Sequence, residues 1–339
     1  MYRIVFDDGK LWALRIPYGE VRSDVECTVT TMRYVRRALP SVPVATVHAW
    51  SDKEDGDGVG MPYILLDWID GKTLEWNANT PPLAARGKIL AQLARHTADF
   101  LARTPIQSNT SSALAWMLSR IDNRFTRILT GDLSTFDPID CLIYRAMAEE
   151  KYFIPSLDAL PFPLIHTDLN PLNIIVDDNF NITGYVASVS LIDMRQLRGF
   201  RILDWDEWVC RVPMQCAVIC PAMIAAGSNL PHDEQLRNDR LAFTEHFTSA
   251  IRRSDIPDDI TVHLSSLMGN DELQIFQLSI QSKDVYAHWV TKYCVRNTHW
   301  VEAAARALEK YTLARPEMAS VSEVTAVRLR LSRIREQGD

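Results

Sequence analysis

The sequence predicts an α+β fold with two lobes, a small β-rich lobe over residues 1–70 and a mainly helical lobe over residues 71–339. Two observations support this prediction. Short β-type segments and one helical segment fill residues 1–70, whereas after Gly71 the apolar residues recur at the spacing of a helix face. The chain has 339 residues, 47% of them hydrophobic, so it is long enough to bury a sizeable core.

The small lobe is predicted to contain a β-hairpin, a helix and two further strands. The hairpin turn is Asp7-Asp8-Gly9, and Pro17 ends the returning strand. A polar, Gly-rich loop at residues 51–60 separates the last two strands. The predicted strands are Tyr2–Phe6, Leu11–Ile16, residues 42–50 and Met61–Ile69, and the predicted helix covers residues 24–39.

The larger lobe is predicted to be built from amphipathic helices. Leu83–Arg103 has leucines and alanines along one stripe, which indicates a helix with one buried face. Further helices are expected at residues 110–128 and 138–151, and after residue 206. Ser320–Arg335 is expected to be a docked helix with arginines on its exposed side.

Composition narrows the functional classes. The net charge of −7 argues against nucleic acid as a partner, and no apolar run is long enough to span a bilayer. The first residues lack the features of a signal peptide, so a cytoplasmic protein is expected. The six cysteines include no Cys-x-x-Cys pair and are expected to be buried apolar residues.

The segment FPLIHTDLNPLNIIVD, residues 162–177, carries the strongest chemical pattern. His166 and Asp168 form His-x-Asp, and Asn173 follows five residues after the Asp, between two short β-type segments. In kinase catalytic loops this Asp accepts the proton of the attacking hydroxyl and the Asn holds a magnesium ion. The alternative is a polar loop in which His166 and Asp168 only satisfy backbone groups.

This loop resembles the catalytic loop of the aminoglycoside phosphotransferase and choline kinase-like family, especially its fungal members. The resemblance extends over most of the chain, through Ala13–Pro17, Pro62–Leu66, Leu203–Asp206 and Pro213–Cys216. It implies a protein kinase-like fold and an ATP-dependent phosphotransferase acting on a small-molecule hydroxyl. ATP and Mg²⁺ are the implied cofactors, and His166 is expected to brace the loop.

Two carboxylates compete for the second magnesium position. The family places this Asp soon after a strand that ends in Thr-Gly, which is present here at Thr183-Gly184. Residues 185–201 then intervene before Asp204, whose Asp-Trp-Asp context matches the family; Asp193 is nearer to Asn173. Asp204 is favoured. We expect residues 185–201 to be either translated intron sequence or a genuine surface loop.

The nucleotide side departs from the family pattern. Arg15 stands where a phosphate-binding cation is expected, although a solvent-facing strand arginine is the equal alternative. Asp67 and Trp68 lie at the expected hinge, where backbone groups hold adenine. Thr28 replaces the Glu that pairs with the cation, and the family's first strand and phosphate-covering turn are missing. These departures motivate an alternative function, a catalytically inactive kinase-like binding module.

Overall fold

The computed structural model describes eleven stretches of the chain, which belong to two compact units. The first unit combines Met1–Asn109 with Pro161–Gln277, and the second combines Thr110–Leu160 with Leu278–Asp339. The predicted lobe boundary at residue 70 therefore falls inside the first unit. The described residues are 1–16, 25–52, 60–77, 79–106, 113–133, 136–150, 162–163, 171–185, 234–269, 294 and 299–338.

The first unit begins with a four-stranded antiparallel sheet in the order β1-β2-β4-β3. The predicted hairpin is confirmed, and its turn is closed by the Gly9 amide, which donates to the Phe6 carbonyl over 2.9 Å. The third strand starts five residues later than predicted. Pro43 has no amide to donate, and the Thr46 amide is taken by the Asp67 carboxylate, 2.9 Å away. The strands are β1 Tyr2–Val5, β2 Leu11–Arg15, β3 Val47–Ser51 and β4 Tyr63–Asp67.

Helix α1, Val25–Ala38, covers one face of this sheet. The apolar residues of α1 are buried together with alternate residues of β2 and β4, because side chains alternate between the two faces of a strand. The core contains Ala13, Ile64 and Leu66 from the sheet and Val25, Val29, Met32 and Val35 from the helix. The predicted helix over residues 24–39 and its apolar stripe are confirmed.

Two small sheets follow in the same unit. Strands β5 (Lys72–Thr73), β8 (Ile174–Val176) and β9 (Ile182–Tyr185) form a three-stranded sheet in the order β5-β8-β9. Strands β6 (Pro105–Ile106) and β7 (Phe162–Pro163) pair with each other. The short strands predicted on both sides of the predicted catalytic loop are therefore present as β7 and β8.

Helix α2 spans Leu83–Arg103, the bounds that its apolar stripe predicts. It packs along α5, Glu234–Ile251, and α5 in turn contacts α6, Asp258–Gly269. A buried ion pair joins α2 to α5: Arg86 Nε lies 2.9 and 3.0 Å from the carboxylate oxygens of Asp239. The Arg86 guanidinium also donates to the Pro81 carbonyl over 3.2 Å, so this buried charge is well solvated by the protein.

The second unit is helical in the described residues. Its helices are α3 Ala113–Leu129, α4 Pro138–Glu150, α7 Trp300–Ala314 and α8 Ser322–Gly338, which confirms the helices predicted there. α4 contacts the other three. A second buried ion pair, between Arg145 and Asp122 at 2.7 Å, joins α4 to α3. None of the helices in the described part of the chain combines the length and the apolar character needed to cross a membrane.

Candidate nucleotide and catalytic-loop site

The structure describes both ends of the predicted catalytic loop. Strand β7 leads into it, and the 3₁₀ turn Pro171–Asn173 leads directly out of it into β8. Asn173 is half-buried and is the residue immediately before β8. His166 and Asp168 lie outside the described residues, as do both candidates for the second magnesium ligand, Asp193 and Asp204.

A tight turn joins β8 to β9. The Asp177 carboxylate accepts hydrogen bonds from the Asn179 amide at 2.9 Å and from the Asn181 amide and side chain, both at 2.7 Å. The Asn181 side chain contributes most to holding the pKa of Asp177 below its usual value. Both oxygens of this carboxylate are thus used within the turn, which makes Asp177 a structural residue of the hairpin.

Strand β9 ends at Tyr185, whose hydroxyl lies 2.6 Å from His96 Nδ1 on α2. Tyr185 pairs with Ile174 in β8, so it belongs to the sheet and not to an inserted loop. The segment predicted to be extra, residues 185–201, therefore includes the last residue of this strand. The rest of that segment, residues 186–201, lies outside the described residues.

The segment that follows β4 is attached to this hairpin. Lys72 and Thr73 in β5 pair with Val176 and Ile175 in β8. Gly71 has a φ of 137°, and a Cβ at this position would lie 2.5 Å from the Val176 carbonyl oxygen. The segment that follows β4 and the strand that leaves the predicted catalytic loop are therefore held in one sheet.

A second close approach supports the same connection. A Cβ on Gly184 would lie 2.4 Å from Cδ1 of Ile69, so the glycine lets β9 contact the segment after β4 closely. The Thr183 hydroxyl donates a 2.9 Å hydrogen bond to the Asp70 carbonyl. Contacts from β8 and from β9 therefore hold residues 69–71 in place.

Arg15 lies on the face of the four-stranded sheet that α1 covers. It pairs with Ile64, two residues along β2 from the Ala13–Leu66 pair, and directly paired residues share a face. We call this the inner face. Burial lowers the pKa of the half-buried Arg15 guanidinium from its usual value, which still leaves it charged at neutral pH.

Asp67 lies on the opposite, outer face, because it pairs with Trp12. Its carboxylate accepts from the Thr46 amide at 2.9 Å and lies 2.7 Å from His48 Nε2. Burial acts to raise the pKa of Asp67, but these hydrogen bonds outweigh it and the pKa is lowered. The sequence predicts Asp67 and Arg15 in one nucleotide site, and the structure does not bring these two side chains together.

The backbone after β4 contains a hydrogen-bond donor, the Ile69 amide, that is unused among the described residues and that the sequence does not reveal. The Trp68 amide donates to the Leu11 carbonyl over 3.1 Å and the Asp67 amide to the Thr46 carbonyl over 3.0 Å. Within the described part of the chain, the Ile69 amide has no hydrogen-bond acceptor. Every residue except proline has a backbone amide, so the residue type does not show which amide lacks an acceptor. Only the hydrogen-bond pattern of the structure identifies it.

Helix α1 provides no carboxylate at the position where the family has its Glu. Thr28 is buried, with 6% of its surface exposed, whereas Glu26 on the same helix is exposed. The described residues also contain no group of three or more His, Cys, Asp or Glu side chains that could hold a metal ion. Of the two predicted magnesium ligands, the structure describes Asn173.

Three comparisons with known proteins bear on this arrangement. A family model described as the phosphotransferase enzyme family matches residues 1–186. No curated protein matches the chain. Among solved structures, the ADP-bound aminoglycoside phosphotransferase APH(2'')-Ib superposes with a TM-score of 0.50 at 11% identity, covering 88% of this chain and 93% of that chain.

Two other solved structures are similar at lower TM-scores. A candidate aminoglycoside phosphotransferase from Ralstonia eutropha gives 0.49 at 16% identity, covering 90% of this chain and 84% of that chain. The macrolide 2'-phosphotransferase MphH from Brachybacterium faecium gives 0.43 at 14% identity, covering 90% and 87%. The family model matches more than half of the residues of this chain. The chain therefore belongs to the phosphotransferase enzyme family and has that family's protein kinase-like fold.

Proposed function

We propose that this chain transfers the γ-phosphoryl group of ATP to a hydroxyl group of a small molecule. The observation that carries the proposal is the sheet connection at Gly71, which links the end of β4 to the exit of the catalytic loop. Phosphoryl transfer depends on holding the nucleotide and the reacting groups in one geometry. A sheet that joins the hinge to this loop supplies such a constraint.

Each predicted residue has a role in this reaction. Asp168 orients the acceptor hydroxyl and takes its proton as the oxygen attacks the γ-phosphorus. The bond between the γ-phosphorus and the bridging oxygen breaks, and ADP leaves with the bonding electrons. His166 braces the loop, and Arg15 binds phosphate oxygens from the inner face of the sheet.

Asn173 and Asp204 would hold Mg²⁺, which when bound neutralises negative charge on the phosphates. The donor chemistry fits, because amide and carboxylate oxygens are ligands that this ion takes in proteins. The 3₁₀ turn and β8 fix the backbone at Asn173, which supports its assignment as a ligand.

The base is proposed to bind at the segment after β4. The Ile69 amide is the donor for a ring nitrogen of the base. Asp67 and Trp68 contribute backbone atoms, and their side chains do not bind the base. This places the nucleotide on the lobe of residues 1–70 and the acceptor on residues 71–339. Similar solved structures are named for aminoglycoside and macrolide substrates. The acceptor proposed here is no more specific than a small-molecule hydroxyl compound.

The direct test is turnover. The purified chain is incubated with ATP, Mg²⁺ and a panel of hydroxyl compounds, and ADP formation is measured for wild type, Asp168→Asn and Asp178→Asn. Asp178 is a matched control because its side chain is fully exposed in the β8–β9 turn. Acceptor-dependent turnover should be lost only in Asp168→Asn; turnover that survives this change would show that Asp168 is not the base.

The metal assignment has its own test. Asp204→Asn and Asp193→Asn are compared for the Mg²⁺ concentration that gives half-maximal turnover. Asp204→Asn should raise this concentration, because the ion loses a carboxylate ligand. If only Asp193→Asn has this effect, Asp193, which is nearer to Asn173 in sequence, is the ligand. Residues 185–201 are then part of the metal segment.

A second candidate function is a catalytically inactive module that binds nucleotide. The buried Thr28 favours it, because a threonine supplies no carboxylate at the position of α1 where the family has its Glu. A ligand at 100 times its dissociation constant adds about 2.7 kcal/mol to the free energy of unfolding. Stabilisation by ATP and Mg²⁺ without turnover on any acceptor would support the module and contradict the enzyme.

A further inference from the structure

Arg3 lies on the inner face of the sheet, beside the segment proposed to bind the base. It pairs with Ala13 across β1 and β2, and Ala13 is buried under α1. Directly paired residues share a face, so Arg3, Ala13 and Arg15 all belong to the inner face. Arg3 itself is exposed.

The side chain of Arg3 reaches across this face. Its guanidinium carbon lies 5.3 Å from the centre of the Trp68 ring. Strand β2 separates β1 from β4, so the reach spans two strand spacings, about 10 Å. The residue of β2 that pairs with Arg3 is Ala13, whose side chain is small.

Arg3 has no other partner in the described part of the chain. No hydrogen bond or ion pair of this side chain is found among the described residues. The contact with Trp68 therefore positions the guanidinium, while its five N–H donors have no acceptor among the described residues. An exposed, positioned arginine next to an unused backbone donor is suited to an aromatic ligand.

The distances along the sheet suit a nucleotide. Trp68 lies opposite Leu11, to which its amide is hydrogen-bonded, and Arg15 is four residues further along the same strand. Four residues of extended strand cover about 13 Å. This separation places a base at the Trp68 end and phosphates at the Arg15 end of one extended ligand, with Arg3 beside the base.

We propose that Arg3 covers the base of the bound nucleotide by stacking its guanidinium on the ring, a role that rests on the proposed nucleotide site. Planar guanidinium groups stack on aromatic faces, and the attraction strengthens when the pair is shielded from water. A lysine keeps the charge at this position but has no planar group, so it cannot replace the stacking. Arg3 thereby contributes affinity for the base, whereas Arg15 contributes affinity for the phosphates.

The experiment measures dissociation constants by titration calorimetry with Mg²⁺ present. The ligands are ATP and inorganic tripolyphosphate, which carries phosphates but no base. The proteins are wild type, Arg3→Ala, Arg3→Lys and Arg37→Ala. Arg37 is the matched control, an exposed arginine in the last turn of α1.

Arg3→Ala and Arg3→Lys should each weaken ATP binding about tenfold, or about 1.4 kcal/mol. Tripolyphosphate binding should stay unchanged in Arg3→Lys, and Arg37→Ala should behave as wild type with both ligands. ATP binding that is unchanged or tighter in Arg3→Ala would overturn the role of Arg3. So would equal weakening of both ligands in Arg3→Lys. A wild-type protein that binds neither ligand would overturn the nucleotide site itself, an outcome distinct from failure of the Arg3 variants alone.

Discussion

Replacing Gly71 with alanine should separate the segment after β4 from the strand that leaves the catalytic loop. The new Cβ would lie 2.5 Å from the Val176 carbonyl oxygen and 2.7 Å from Cγ2 of Ile175. A side chain can rotate away, but a backbone oxygen that belongs to a paired strand cannot. The β5–β8 pairing must therefore open or Gly71 must move.

The magnitude follows from two contributions. A φ of 137° is a conformation that L-residues rarely adopt, and holding alanine there costs about 1–3 kcal/mol. Opening the short β5–β8 pairing adds about 0.5–1.5 kcal/mol for each hydrogen bond lost. We expect Gly71→Ala to lower the free energy of unfolding by about 3–4 kcal/mol, a large part of a typical total of about 5–15 kcal/mol.

Urea unfolding followed by tryptophan fluorescence measures this loss, with Gly9→Ala as the control. Gly9 also has a positive φ, 79°, but its Cβ would meet nothing within 4 Å. Gly9→Ala should lower the free energy of unfolding only by the conformational strain, about 1 kcal/mol. If Gly71→Ala loses no more stability than Gly9→Ala, the close approach to Val176 is not a constraint and the argument for a joined site fails.

Three further predictions concern buried charges and are checked by the same unfolding measurement. Arg86→Ala should cost about 3–5 kcal/mol because it leaves Asp239 buried without its partner, and Arg86→Met with Asp239→Leu should recover most of that loss. Burial, with Arg95 nearby, lowers the pKa of His96 to about 4. Between pH 6.5 and 4 the unfolded chain therefore binds a proton that the folded chain does not, so stability should fall by about 3 kcal/mol as the pH drops, and His96→Gln should remove this fall. Burial, with Asp137 nearby, raises the pKa of Asp140 to about 6, so stability should be lost as the pH rises from 3.8 to 6. Asp140→Asn should add about 1–2 kcal/mol at pH 7, allowing for the partial exposure of this group, and nothing at pH 3; equal effects at both values would contradict the burial argument.

The sequence by itself determined the elements whose signal is local. The 3.6-residue period of apolar side chains gave the bounds of α2, Leu83–Arg103, without error. The Asp-Asp-Gly turn predicted the first hairpin. Each of these signals depends on residues within one turn or one hairpin, so no distant contact is needed to interpret it.

The sequence also predicted a catalytic loop from residue type and spacing. His166, Asp168 and Asp204 remain assignments of the sequence, since they lie outside the described residues. The resemblance drawn from that loop led to the family, which the match over residues 1–186 then established. Spacing carries this information because a base and a metal ligand on one loop must converge on one phosphate.

Only the tertiary structure decided which side chains share a face and which segments touch. Strand register places Arg15 and Asp67 on opposite faces of the sheet, and a shift of one residue would reverse that outcome. The register of β1 and β2 places Arg3 on the inner face, where it contacts Trp68, 65 positions further along the chain. The close packing of Gly71 against Val176 likewise depends on a strand pairing formed over about a hundred residues. These relations depend on long-range pairing, which the packing of the whole unit selects and no local pattern encodes.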